Sequence, residues 1–284
     1  MSIPNAESYP LPQADELIAN KVNWPFEPGR AALLIHDMQN YFLKFWGSDS
    51  SLVSQVVANI ARLRQQCDAL GIPVFYTAQP AQQSAEDRAL LNDMWGPGLN
   101  RHPQEQQVVA ELMPRPEDKV LTKWRYSAFQ RSSLEQQLKE LGRDQLLITG
   151  VYAHIGCLTT ATDAFMRDIK PFMVADALAD FSRDDHLMAL KYTAGRCGKV
   201  VFCEELLLLP SSKSALRELV LPLLEDDDHP QDDDNLIDYG LDSVRVMALA
   251  ARWRQAIPTM DFMTLAKQPS IDGWWALLSQ GDQR

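Results

Sequence analysis

Cysteine is scarce in this chain of 284 residues: four, at 67, 157, 197 and 203, with no CxxC spacing. No disulfide framework follows from so few. Reduced, mostly buried thiols and a cytoplasmic location are expected. Positive charge is also short. Lys and Arg number 27 against 38 Asp and Glu, a formal net charge of −11. Nucleic acid and acidic membranes both select basic surfaces, so neither is an expected partner. No uncharged apolar run reaches the ~18 residues of a membrane-spanning helix. The opening SIPNAESYPLP is polar and proline-containing, not a basic–apolar export signal.

What is present is apolar bulk, 46% of residues, enough for one large core and one small one. Residues 1–29 read as an arm with a short helix over 14–21. Short apolar runs predict strands at 31–35, 73–77, 119–122, 146–148, 172–175 and 199–202, the fifth ending at Asp176. Between them fall helix patterns at 52–70, 134–141 and 184–195, the first two closed by Gly71 and Gly142. The repeated βα order predicts an α/β fold, a parallel sheet flanked by helices on both faces. The long polar stretch 80–118, with MWGPGL inside it, reads as a lid over the strand ends.

Three segments share one form, an apolar run with a polar residue at its end: LLIHDMQNYF (33–42), LTKWRYSAF (121–129) and LLITGVYAHIGCL (146–158). Ligands of open α/β sheets bind beyond the carboxyl ends of strands. Asp37, Lys123 and the 152–156 turn are therefore expected to converge. In the third segment the strand ends at Thr149-Gly150 and a helix begins near Ile155. That sharp bend offers backbone N–H groups at a helix start.

The composition shifts near Leu209-Pro210, which predicts two domains, 1–209 and 210–284. A helix is expected over 211–224. Residues 225–242 then hold nine acidic side chains and no Lys or Arg. The run ends in DYGLDSV (238–244), where Ser243 opens a helix whose apolar face is placed at 244, 247, 248 and 251.

The first three segments, in this order, resemble the isochorismatase-like hydrolase superfamily, which has a three-layer α/β/α fold. In most members an Asp, a Lys and a Cys form a triad, and the Cys follows the Thr-Gly turn. Here Gly156 stands in that place. Cys157 comes one residue later, a rotation of roughly 100° on a helix. The departure resembles the true isochorismatases, which have no thiol nucleophile. DYGLDSV resembles the phosphopantetheine-attachment motif of acyl, aryl and peptidyl carrier proteins. Asp238, Gly240, Asp242, Ser243 and Val244 fit it. Some 75 residues suit a four-helix carrier bundle. Together the resemblances cover nearly the whole chain and point to the bifunctional isochorismatase/aryl carrier proteins of catechol siderophore synthesis, the enterobactin type.

The resemblance implies hydrolysis of the vinyl ether of isochorismate to 2,3-dihydro-2,3-dihydroxybenzoate and pyruvate. That reaction needs one general acid and no nucleophile. Asp37, partly desolvated, is expected to hold a proton near neutrality. Lys123 orients it and balances charge or holds a substrate carboxylate, although a close ammonium works against a high Asp37 pKa, and Gly156 leaves room for substrate or water. Gln79 and Arg88 are substrate-binding by family position, Tyr152 completes the pocket, and Phe42, Trp95 and Phe129 form its apolar wall. His154 reads as structural, in a turn where the family often has a non-proline cis peptide. Metal-using relatives carry an Asp and His cluster on the second-strand loop. None occurs among His36, His102, His154, His186 and His229, so no metal is expected in the hydrolase site.

For the carrier half the resemblance implies a 4′-phosphopantetheine arm on Ser243. A docking patch falls at Asp242, Met247, Phe262 and Ala266. A weak Mg²⁺ site is expected at Glu225, Gly240 and Asp242. The implied partners are a phosphopantetheinyl transferase, an aryl-adenylating ligase, a nonribosomal peptide synthetase condensation domain and a second copy of the chain. Two other readings stay open: a cysteine amidohydrolase using Cys157, and a non-catalytic scaffold.

Overall fold

The computed structural model describes residues 3–210, 212–224 and 230–279. The chain divides into two compact units, Met1–Cys203 and Glu204–Arg284. Sequence composition placed the change six residues later. Residues 204–209 go with the second unit.

The first unit is built on β1 (Ala31–His36), β2 (Val74–Ala78), β3 (Lys119–Thr122), β4 (Gln145–Val151), β5 (Lys170–Ala179) and β6 (Lys199–Val201). All five pairings are parallel, in the order β3-β2-β1-β4-β5-β6. Every residue of β1 and β4 is buried, as uncharged central strands require when both faces are covered. Ala32 and Leu34 of β1 face a core shared with Leu138, Ala161 and Leu190 of the helices Leu134–Glu140, Leu158–Phe165 and Arg183–Tyr192. The helix Ser51–Ala69 buries Leu52, Val56, Ile60 and Leu63, and the Ser50 hydroxyl accepts from Val53 N to start it. Strand order reverses between β1 and β4. Their carboxyl ends therefore open a crevice at the switch point.

Several bounds differ from expectation. In place of a helix over 14–21 the arm forms a single turn there, Ala14–Glu16. β4 does not stop at Thr149-Gly150 but runs to Val151. A five-residue π-helical turn, Ala153–Cys157, then precedes the helix proper. β5 is much longer than 172–175. Its register shifts against β4 between Ile148 and Gly150, so Asp176 lies inside the strand and Asp180 stands just past its end.

The second unit holds the helices Lys213–Val220, Ser243–Arg254, Phe262–Ala266 and Ile271–Ser279 around Leu216, Leu249, Trp253, Leu265 and Trp274. The two tryptophans meet edge to face, centroids 5.7 Å apart. The expected apolar face of the Ser243 helix is wrong by half a turn. Residues 246, 249, 250 and 253 are buried, while Val244 is 67% and Met247 49% exposed. No helix among the described residues is long and apolar enough to cross a membrane.

Candidate active site

The ends of β1, β2 and β3 meet over Asp37. Its backbone is left-handed, φ 51°, which turns the carboxylate back over the strand ends. Asp37 Oδ1 accepts from the Thr77 hydroxyl at 2.5 Å, and Oδ2 accepts from Lys123 Nζ at 2.9 Å. Both charged side chains are buried. Burial alone would raise the Asp37 pKa. His36, the Lys123 ammonium and the Thr77 hydroxyl outweigh it and hold the carboxyl below its ordinary value. This corrects the expectation of a proton held near neutrality: the free site holds an ion pair.

A cleft opens above the pair. Asp37, Phe42, Gln79, Arg88, Trp95, Lys123, Tyr152 and Gly156 all line it. Phe129 does not. It belongs to the core beneath the sheet, where the Arg167 guanidinium lies 5.1 Å from its ring. Arg88 is buried in the expected lid. Its Nε donates to Gly96 O at 2.6 Å and its Nη1 reaches Gln79 Oε1 at 3.4 Å. No carboxylate pairs with it among the described residues, so its charge is open to an anionic ligand. The Tyr152 phenol donates inward to Phe42 O at 2.7 Å, and its ring packs on Phe181 at 4.3 Å. Tyr152 therefore shapes the wall through its ring. A cis peptide joins Val151 to Tyr152.

Gly156 does not leave space for substrate or water. A Cβ there would lie 2.2 Å from His36 Cε1 and 2.8 Å from Nε2, so the imidazole fills that volume. His36 Nδ1 is 2.8 Å from Val151 O and 3.6 Å from Asp37 Oδ2. Burial lowers its pKa to about 4, which keeps the ring neutral. His154 lies beside the cleft as a structural group. Asp180 accepts from its backbone N and holds its ring Nδ1, both at 2.6 Å. His154, Asp180 and Asp185 form a compact trio, with Asp180 already committed to His154 and Phe181 N and Asp185 to Ser182.

In the second unit Ser243 is exposed at the first position of its 12-residue helix. Asp242 is the cap: its Oδ1 accepts from Arg245 N at 2.8 Å. The serine hydroxyl is thus not needed for capping, and it sits where a helix N-terminus favours a phosphate. Met247 and Phe262 line one groove, and Ala266 lies outside it. Of the expected Mg²⁺ ligands, Glu225 lies outside the described residues. The Gly240 carbonyl accepts from Arg245 at 3.3 Å, and the same guanidinium stands 3.7 Å from Asp242 Oδ2. A cation already occupies that corner, and the Mg²⁺ expectation is not supported.

Residues 31–205 match the isochorismatase domain, and residues 214–278 match the phosphopantetheine attachment site. The chain belongs to the isochorismatase family. It is 67% identical to enterobactin synthase component B of Escherichia coli (strain K12), over 99% of both chains. It is 46% identical to the isochorismatase of Bacillus subtilis (strain 168), over 100% of this chain and 97% of that one. Among solved structures, a cysteine hydrolase from Pseudomonas syringae pv. phaseolicola 1448A aligns with TM-score 0.60 and 25% identity, covering 70% of this chain and 96% of that one.

This isochorismatase-family chain has no thiol at the site. Cys157 is fully buried, burial pushes its pKa well above the ordinary thiol value, and it does not line the cleft. The amidohydrolase reading is not favoured. Sequence reading missed His36, Thr77 and Phe181, and also Arg125 and Tyr126, which line the cleft. His36 left a signal, a polar residue closing the buried run LLI directly before Asp37. Phe181 left none, because the true length of β5 was not visible.

Proposed function

We propose that the first unit hydrolyses isochorismate and that the second carries the aryl acid, 2,3-dihydroxybenzoate, formed after a separate dehydrogenase has oxidised the ring of the hydrolysis product. The observation that carries the hydrolase reading is the buried Asp37–Lys123 pair at the switch point with no nucleophile beside it. The substrate carboxylates bind Arg88 and Lys123. Once the ammonium turns to substrate, Asp37 loses a counter-charge, and burial, the largest influence on it, raises its pKa. Asp37 then takes up a proton as the complex forms. It delivers that proton to the terminal methylene carbon, leaving an oxocarbenium ion. Water adds to the cationic carbon and its proton returns to Asp37. The hemiketal hydrogen moves to the ring oxygen as the C–O bond breaks, releasing pyruvate and 2,3-dihydro-2,3-dihydroxybenzoate. One water is consumed and Asp37 is reset. Gln79 supports Arg88, and Phe42 and the Tyr152 ring exclude bulk water.

The carrier reading rests on the exposed Ser243 hydroxyl behind its Asp242 cap. A phosphopantetheinyl transferase moves the arm from coenzyme A to Ser243 Oγ as a phosphodiester, breaking the pyrophosphate bond and releasing adenosine 3′,5′-bisphosphate. The arm supplies a thiol that holds 2,3-dihydroxybenzoate as a thioester. An adenylating ligase loads it, and a synthetase condensation domain unloads it for siderophore assembly. Asp242, Met247 and Phe262 present the docking face, with Ala266 beside it. Free, buried thiols and an arm drawn from coenzyme A suit the cytoplasm. A second copy of the chain remains the proposed partner of the hydrolase unit.

Intact mass after incubation with coenzyme A and a transferase, and pyruvate release from isochorismate, are measured on the same sample. Ser243→Ala abolishes the mass gain and leaves pyruvate release intact. Asp37→Asn keeps the mass gain and lowers pyruvate release by roughly 10²–10⁴-fold. Full pyruvate release by Asp37→Asn sinks the general-acid role.

A further inference from the structure

Gly156 has an ordinary backbone conformation, so nothing in its φ forbids a side chain. The three atoms nearest an added Cβ all belong to one ring, His36 Cε1, Nε2 and Nδ1, at 2.2, 2.8 and 3.2 Å. Contacts under 3.0 Å cannot be kept, and the ring has little freedom to yield. It is fully buried, tied to Val151 O and enclosed between β1 and the turn. The Val151 carbonyl meets its Nδ1, and the Tyr126 backbone acts on the ring as well, so packing and the backbone hold it in place.

We propose that His36 and Gly156 form one specificity-determining unit. The imidazole occupies the volume of any side chain at position 156. It thereby keeps a nucleophile away from Asp37 and Lys123, and the pair is left to work as a proton donor. His36 is a positioning residue: it lines the cleft beside Gly156 and fixes which chemistry the pair serves by filling that volume. A smaller residue at 36 frees the same volume. A cysteine at position 156 would then project into the cleft that Asp37 and Lys123 already line. This inference rests on the ether-hydrolase reading for its meaning, but its steric core does not.

The test is a double-mutant cycle read by thermal unfolding and by pyruvate release. Gly156→Ala alone lowers Tm and cuts kcat/KM by more than 100-fold. In the His36→Ala background the same substitution leaves Tm within error and changes kcat/KM by less than threefold. Equal cost in both backgrounds overturns the proposal. So does a pair in which neither glycine variant folds while His36→Ala does. A second readout is native alkylation by iodoacetamide, mapped by mass. His36→Ala/Gly156→Cys is labelled at position 156, whereas the four native cysteines, all buried, stay unlabelled. A Gly156→Cys single variant with wild-type Tm, labelling and activity would also overturn it. The unfolding cycle needs no substrate. Failure of wild-type pyruvate release therefore condemns the ether-hydrolase reading, and failure of the coupling condemns this one.

Discussion

His36 is neutral where it sits, and that has a thermodynamic cost at low pH. Its ordinary pKa of 6.5 falls to about 4 in the folded chain because burial disfavours the imidazolium. As pH drops below 6.5 the unfolded chain takes up this proton first. Stability is therefore full above pH 6.5 and is lost progressively down to pH 4, by up to about 3 kcal/mol. His186 shifts in the same direction, to about 3. Asp37 behaves as a depressed carboxyl should: its contribution is present above its ordinary value of 3.8 and disappears only below it. Replacing His36 by Asn keeps a donor for Val151 O and removes the titration. The variant is less stable at pH 7, yet its Tm falls less steeply than wild type between pH 6.5 and 4. Parallel Tm–pH curves for the two proteins would show that His36 is not the titrating group.

At the level of elements, the strands were legible because short uncharged runs such as AALLI and LLI, bounded by polar residues, fit central parallel strands covered on both faces. Asp37 was legible because it follows such a run, and Lys123 because it directly follows the short edge strand β3. What failed did so for local physical reasons. The helix Ser243–Arg254 carries two apolar stripes, Val244/Met247/Ala248/Ala251 and Val246/Leu249/Ala250/Trp253, and pattern alone does not choose between them. The volume of Trp253, packed on Trp274, decides. β5 looked short because Asp176 reads as a terminus. The strand tolerates that carboxyl because it accepts from Cys203 N at 2.9 Å. The lid was legible only as a long insertion, and its main device is Gly98. That residue has φ 55°, and a Cβ on it would lie 2.5 Å from the Arg88 guanidinium. Gly98→Ala should displace Arg88, raising KM for isochorismate about tenfold or more with a smaller change in kcat. Arg88→Ala should do the same, and the double variant should be no worse than the worse single one. Independent, additive effects would separate Gly98 from Arg88.

Across the whole molecule, two cores serve two tasks. The carrier unit has its own buried cluster and is not an extension of the sheet domain's core. Its boundary explains why composition misplaced the junction. Composition changes only near Leu209-Pro210, but Arg252 ties residues 204 and 207 to the carrier. One nitrogen of that guanidinium donates to Glu204 O at 3.0 Å and to Leu207 O at 2.6 Å. Burial lowers the Arg252 pKa, and the two carbonyls offset that desolvation. The segment leading into the carrier is therefore latched to the helix that begins at Ser243. Arg252→Ala should unlatch it. Limited proteolysis within 204–209 should accelerate several-fold, and carrier unfolding should become easier by about 1–2 kcal/mol. Pyruvate release should not change, because no hydrolase residue is touched. Cleavage at the wild-type rate would mean the latch contributes nothing, and the segment is then held by its apolar contacts, Leu209 against the carrier core among them.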